Sequence, residues 1–261
     1  MTPSDGSDLF YQVTGSGPRL LFLNGSGVTL EEAALLVGMF SSSRRVLSFD
    51  YRGLGKSGPL TGGYTMADCA ADARRVLDAV GWGTAPVVGI SFGGMVALEL
   101  AVSAPERLER LVLLCTSAGG GGGSSYPLHE LESLDVDERT AARRQLMDTR
   151  FDEAWLDSHP GDRRLVEMLE AREPGRGPGF PEQLEARKGH DTWDRLDVIA
   201  CPTFIGCGRF DGIAPPRNSE AMASRIREAE LHVYEGGHAF LAQDPQSLPD
   251  VLAFLQDVPT S

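Results

Sequence analysis

Gly89-Ile90-Ser91-Phe92-Gly93 places a serine hydroxyl between glycines, where an apolar run (Ala85–Ile90) gives way to a helical pattern (Phe92–Ala104). In a chain with 31 glycines a G-x-S-x-G string can arise by chance, as a plain turn. The strand before it and the helix after it give it meaning. A sharp strand-to-helix turn projects the hydroxyl above the sheet, and small neighbours are needed because the backbone is crowded there. The N–H groups opening the helix then point toward developing negative charge. Ser91 is the expected nucleophile.

A serine hydroxyl is a poor nucleophile until a base takes its proton. Of five histidines, His129, His159 and His190 lie in a charged middle segment, and His232 falls inside an apolar stretch that reads as a strand. His238 follows Gly236-Gly237 in a loop between the last strand and the last helix, and is the expected base. A histidine base needs a carboxylate to fix its tautomer. Asp211, just past the apolar run ending at Cys207, is the expected acid, with Asp191, Asp194 and Asp197 as rivals.

Strands at Arg19–Leu23, Arg45–Asp50, Ala85–Ile90, Leu111–Cys115, Pro202–Cys207 and Glu230–Tyr234 must position these groups. Between them run helical patterns: Glu31–Phe40, Thr65–Val80, Phe92–Ala104, Asn218–Arg227 and Leu248–Gln256. Thr65 with Asp68 reads as a capping box opening the second of these. Such alternation implies a mostly parallel sheet covered on both faces. The rhythm breaks at Gly119–Gly123, which reads as a flexible connector. Charged helical sequence follows, with a second break at Pro174–Pro181. The expected organisation is a core of residues 1–118 and 196–261, interrupted by a helical lid at 119–195 on a mobile glycine hinge.

The 261 residues carry a net charge of −13, which argues against nucleic acid and anionic membranes as partners. No run approaches the ~18 apolar residues of a membrane span. Cys69, Cys115, Cys201 and Cys207 form no C-x-x-C pair and fit no zinc spacing, so reduced core thiols and no metal are expected. The N-terminal stretch has no basic region followed by an apolar one, and a cytoplasmic location is the expectation. Oligomeric state is not legible.

Three further stretches carry a family resemblance. Asp50-Tyr51-Arg52-Gly53-Leu54-Gly55-Lys56-Ser57 is similar to a D-x-R-G-x-G-x-S turn, and Asp211-Gly212-Ile213-Ala214-Pro215 to a D-x-x-x-P acid loop. His238 precedes Asp244-Pro245 and Phe254-Leu255, as in the same family's C-terminal ending. Together with the serine turn, and in the order Ser, Asp, His, these motifs resemble the α/β-hydrolase superfamily over nearly the whole chain.

The resemblance implies the α/β-hydrolase fold, a mostly parallel sheet flanked by helices with an inserted helical lid. It also implies acyl transfer to water without a cofactor, acting on a small molecule. A serine at the elbow argues against the haloalkane dehalogenase and epoxide hydrolase branches, which use aspartate. The loop after the first buried strand, usually H-G, reads Leu23-Asn24-Gly25-Ser26-Gly27 here. By analogy the N–H groups of Ser26 and Phe92 form the oxyanion hole, with Gly27 an alternative to Ser26. Asn24, Gly25 and Gly27 are expected to border the substrate. Asparagine followed by a small residue here also resembles the enol-lactonase branch. Carboxylic ester hydrolysis is the first expectation. Lactone, thioester and C–C hydrolysis, acyl transfer to another acceptor and cofactor-free peroxidation share the triad, and a non-catalytic ligand receptor is the alternative from a different class.

Overall fold

Seven strands are present: β1 (Tyr11–Thr14), β2 (Arg19–Leu23), β3 (Arg45–Phe49), β4 (Ala85–Ile90), β5 (Leu108–Leu114), β6 (Thr203–Gly208) and β7 (Ala229–Tyr234). They form one sheet in the order β1-β3-β2-β4-β5-β6-β7 in a computed structural model that describes residues 8–60, 62–171 and 179–256. β1 pairs antiparallel with β3, and all other pairs are parallel. The helices are α1 (Ala34–Ser41), α2 (Met66–Ala79), α3 (Phe92–Ser103), α4 (Val136–Met147), α5 (Glu153–Ser158), α6 (Pro160–Glu170), α7 (Gly179–Lys188), α8 (Pro216–Arg225), α9 (Phe240–Gln243) and α10 (Ser247–Gln256).

Side chains alternate across the sheet and build a core on each face. Leu21 and Leu23 of β2, with Val87 of β4 and Leu111 and Leu113 of β5, pack against α2, α3 and α7. Leu20 and Phe22, with Val88 and Val112, pack against Phe40 of α1 and Val251 and Leu255 of α10. The capping box that opens α2 is present, Thr65 and Asp68 bonding reciprocally.

Three local features differ from expectation. β1 is unanticipated because it is only four residues long and wholly exposed, so the alternation of Tyr11 and Val13 with Gln12 and Thr14 is too short to mark it. α1 starts at Ala34 rather than Glu31: residues 30–33 form turns, opened by Thr29 and Glu32, which bond reciprocally as in a capping box. The break at Pro174–Pro181 falls mostly outside the described residues, but its last residues belong to α7. The N-terminal stretch read for a leader also lies outside them, except Asp8.

The glycine run is not a free connector, which corrects the hinge expectation. Residues 120–122 form a 3-10 turn closed by Gly119 N–H to the Gly123 carbonyl at 3.1 Å. Gly119 pairs with Asp191 in an isolated bridge, and a Cβ on Gly121 would lie 2.6 Å from Trp193 Nε1. The glycines are there because two segments of backbone and a tryptophan approach too closely for side chains. Gly119→Ala is therefore expected to destabilise the fold by at least roughly 2 kcal/mol, since φ is 74° there and the new methyl meets the His190 carbonyl. Urea unfolding checks this, and a variant as stable as the parent would show that the strap can shift freely.

The inserted segment divides by packing. Phe151, Leu156 and Val166 form a small core of their own, with Trp155 against it. Phe180, Leu184 and Ala186 of α7 join the main core instead.

Candidate active site

Ser91 joins β4 to α3 with φ 55° and ψ −117°, a conformation that non-glycine residues rarely hold. Its surroundings over-determine it. The Ser91 N–H donates to the Leu114 carbonyl at 2.8 Å, while its own carbonyl accepts from Thr116 Oγ1 at 2.8 Å and the Gly94 N–H at 2.9 Å. A side chain at Gly93 would run into the Leu23 and Asn24 carbonyls, and one at Gly89 into Gly93. The small residues of the motif thus reflect the close approach of α3 to β4 and to the loop after β2.

His238 Nε2 lies 3.0 Å from Ser91 Oγ, and His238 Nδ1 lies 2.8 Å from Asp211 Oδ2. The carboxylate only accepts, so Nδ1 carries the proton and Nε2 is left to accept from the serine. Asp211 is buried, and its Oδ1 accepts from the N–H groups of Ile213 and Ala214, both at 2.8 Å. The rival aspartates are elsewhere. Asp191 accepts from the Trp193 N–H, Asp194 pairs with Arg225, and Asp197 is exposed.

The end of α4 supports both loops, which no sequence pattern signals. The His238 N–H donates to the Met147 carbonyl at 2.6 Å and the Gly212 N–H to the Leu146 carbonyl at 3.0 Å. Fully buried Asp148 accepts from Arg150 and from Gln243 Nε2, and Gln243 Oε1 accepts from the Gly237 N–H.

The loop after β2 passes beside the serine: a Cβ on Gly25 would lie 3.8 Å from Ser91 Cβ. The Gly27 N–H donates to Gln183 Oε1 of α7 at 2.7 Å, and the Phe180 ring covers Gly27. Ser26, unlike Gly27, keeps its N–H without an acceptor among the described residues, as does Phe92. Asn24 is buried with both amide atoms lacking a hydrogen-bond partner among those residues, and its carbonyl accepts from Tyr51 OH at 3.2 Å. The D-x-R-G turn anchors this loop from below. Asp50 accepts from the Leu30 N–H at 2.7 Å and the Lys56 N–H at 2.9 Å.

Among the described residues, Cys115, Asp211 and His238 form a trio of metal-ligand chemistry within 4.8 Å. Asp211 and His238 already bind each other. Burial, followed by the Asp211 charge, holds the Cys115 thiol well above its usual range and keeps it protonated.

Residues 18–152 match the family model described as the alpha/beta hydrolase fold. The chain belongs to the α/β-hydrolase family. This α/β-hydrolase is 36% identical to the 2-hydroxymuconate semialdehyde hydrolase of Pseudomonas putida, over 86% of this chain and 82% of that protein. It is 30% identical to the poly(3-hydroxyalkanoate) depolymerase of Ectopseudomonas oleovorans, over 91% and 84%. The crystal structure of a hydrolase from Pseudomonas aeruginosa PA01 matches it with a TM-score of 0.75 at 31% identity, covering 98% of this chain and 97% of that one. The α/β-hydrolase is thus an enzyme, as the motifs implied. No helix among its described residues is long and apolar enough to cross a membrane.

Proposed function

We propose that this enzyme hydrolyses a small-molecule carboxylic ester through an acyl-enzyme on Ser91. The observation that carries the reading is the continuous contact Ser91–His238–Asp211, with the Ser26 and Phe92 N–H groups lacking an acceptor among the described residues. Ser91 Oγ attacks the carbonyl carbon while His238 Nε2 takes its proton. The Ser26 and Phe92 N–H groups hold the oxyanion, worth roughly 3–4 kcal/mol per donor in comparable sites. The imidazolium gives its proton to the leaving alkoxide, then removes one from the water that releases the acid. Asn24 and Gly25 border the acyl group, and the described residues of segment 119–195 cover the site.

The relative named as a poly(3-hydroxyalkanoate) depolymerase favours esters, since polymers of hydroxy acids are ester-linked. The relative named as a 2-hydroxymuconate semialdehyde hydrolase favours, as second reading, a non-ester carbonyl substrate processed by the same groups. Turnover across p-nitrophenyl esters, lactones, acyl thioesters and a semialdehyde of that type separates them. The ester reading expects the highest kcat/KM on the esters, and a preference for the semialdehyde would replace it.

A further inference from the structure

Several arginines of the chain hold a carboxylate, whereas Arg187, like the more deeply buried Arg44 and Arg110, holds none among the described residues. Arg52 pairs with Asp72, Arg144 with Glu153 and Glu170, Arg150 with Asp148, and Arg195 with Glu99. Arg187 has no carboxylate partner among the described residues, and its one hydrogen bond there runs from Nη2 to the Tyr126 carbonyl at 3.1 Å. A desolvated charge left without a counter-ion is costly, and such groups are normally paired. Burial lowers this guanidinium to about 10, which still leaves it charged at neutral pH.

Its place in the fold gives the vacancy a use. Gln183, Arg187 and His190 follow one another at helical spacing and share one face of α7 and its continuation. Gln183 binds the Gly27 N–H, next to that of Ser26. His190 Nε2 contacts the Ser117 carbonyl at 3.0 Å, one residue past the Thr116 hydroxyl that holds the Ser91 carbonyl. Tyr126, under Arg187, donates its N–H to the Ile213 carbonyl at 2.7 Å, beside the Asp211 loop. Arg187 therefore sits between tethers to the oxyanion loop, to the end of β5 and to the acid loop. About 6 Å of helix separates it from Gln183, whose side chain holds the loop beside Ser91.

We propose that Arg187 sets specificity by binding a carboxylate at the far end of the substrate's acyl group, so that the enzyme acts on monoesters of short dicarboxylic acids. This rests on the ester reading above. A planar guanidinium meets a carboxylate through two parallel hydrogen bonds, and Arg187 has the free N–H groups to do so.

The test compares mono-p-nitrophenyl glutarate with its methyl ester, which has the same chain but no charge. The parent enzyme should prefer the acid, and Arg187→Met should lower the acid-to-methyl-ester ratio of kcat/KM by roughly 10- to 100-fold, mainly through KM. Arg187→Lys, which keeps the charge without the fork and serves if the methionine variant fails to fold, should lower the ratio less. Calorimetry of glutarate with Ser91→Ala needs no chemistry; the binding should vanish when Arg187→Met is added and weaken when Arg187→Lys is added instead, and no binding to Ser91→Ala, or binding unaltered by both changes, would overturn the proposal. An unchanged ratio, with both esters slowed alike, would show that Arg187 only ties down Tyr126 and would overturn the proposal. Should Ser91→Ala keep hydrolysing esters, the nucleophile reading fails, while the glutarate titration still judges Arg187.

Discussion

Ser91→Ala is expected to lower turnover by a factor on the order of 10⁴–10⁶ while the fold persists. The variant removes the atom 3.0 Å from His238 Nε2 and nothing that supports the turn. The bonds that hold residue 91 run through its backbone: its N–H to Leu114, and its carbonyl from Thr116, Gly94 and Met95. Alanine keeps all of these at the same strained φ. What remains is the oxyanion pair and substrate binding, which still exceed bulk water. A fluorophosphonate should label the parent on Ser91, located by mass spectrometry of its peptides, and leave the alanine variant unlabelled. A label on another residue, or parental turnover in the variant, would end the assignment.

Asp211→Asn should cost roughly 10⁴ in rate, and the surrounding bonds dictate how. Oδ1 accepts from two backbone N–H groups, Ile213 and Ala214, so the asparagine oxygen must stay there. Its NH₂ group then takes the position of Oδ2, 2.8 Å from His238 Nδ1, and donates to it. Nδ1 becomes the acceptor, the proton moves to Nε2, and the base presents a donor to a serine that needs an acceptor. Asp191→Asn, Asp194→Asn and Asp197→Asn should each leave kcat within a small factor, because none of them reaches His238. A large loss at one of those three, with Asp211→Asn near parental activity, would move the acid elsewhere.

Much of this machinery is legible before folding because its signals are local. The elbow needs a strand, a serine between small residues, and a helix, all within one short stretch around Ser91. The capping box at Thr65 and Asp68 spans a single helical turn. The acid and base loops follow strands whose apolar runs are plain, so Asp211 and His238 can be placed at the same sheet edge from topology alone. Other features carry misleading signals for equally local reasons. Five glycines in sequence look identical whether they are free or packed, and only the approach of Trp193, Asp191 and the His190 carbonyl makes 119–123 a fixed strap. β1 is a four-residue edge strand in which Tyr11 and Val13 alternate with Gln12 and Thr14, too short a pattern to stand out and exposed throughout.

The sequence by itself determined the nucleophile turn, the order of the triad candidates and the parallel sheet, since each depends on residue type and near-neighbour spacing. Tertiary structure brings Asp211 rather than its rivals against His238, and gives the Gly27 N–H an acceptor. Gln183 takes the Gly27 N–H from 156 positions away. It also decided that α7 belongs to the main core and that the end of α4 braces His238. Such contacts join segments distant along the chain, and hydrophobic periodicity shows that a helix has a buried face without saying which surface will bury it.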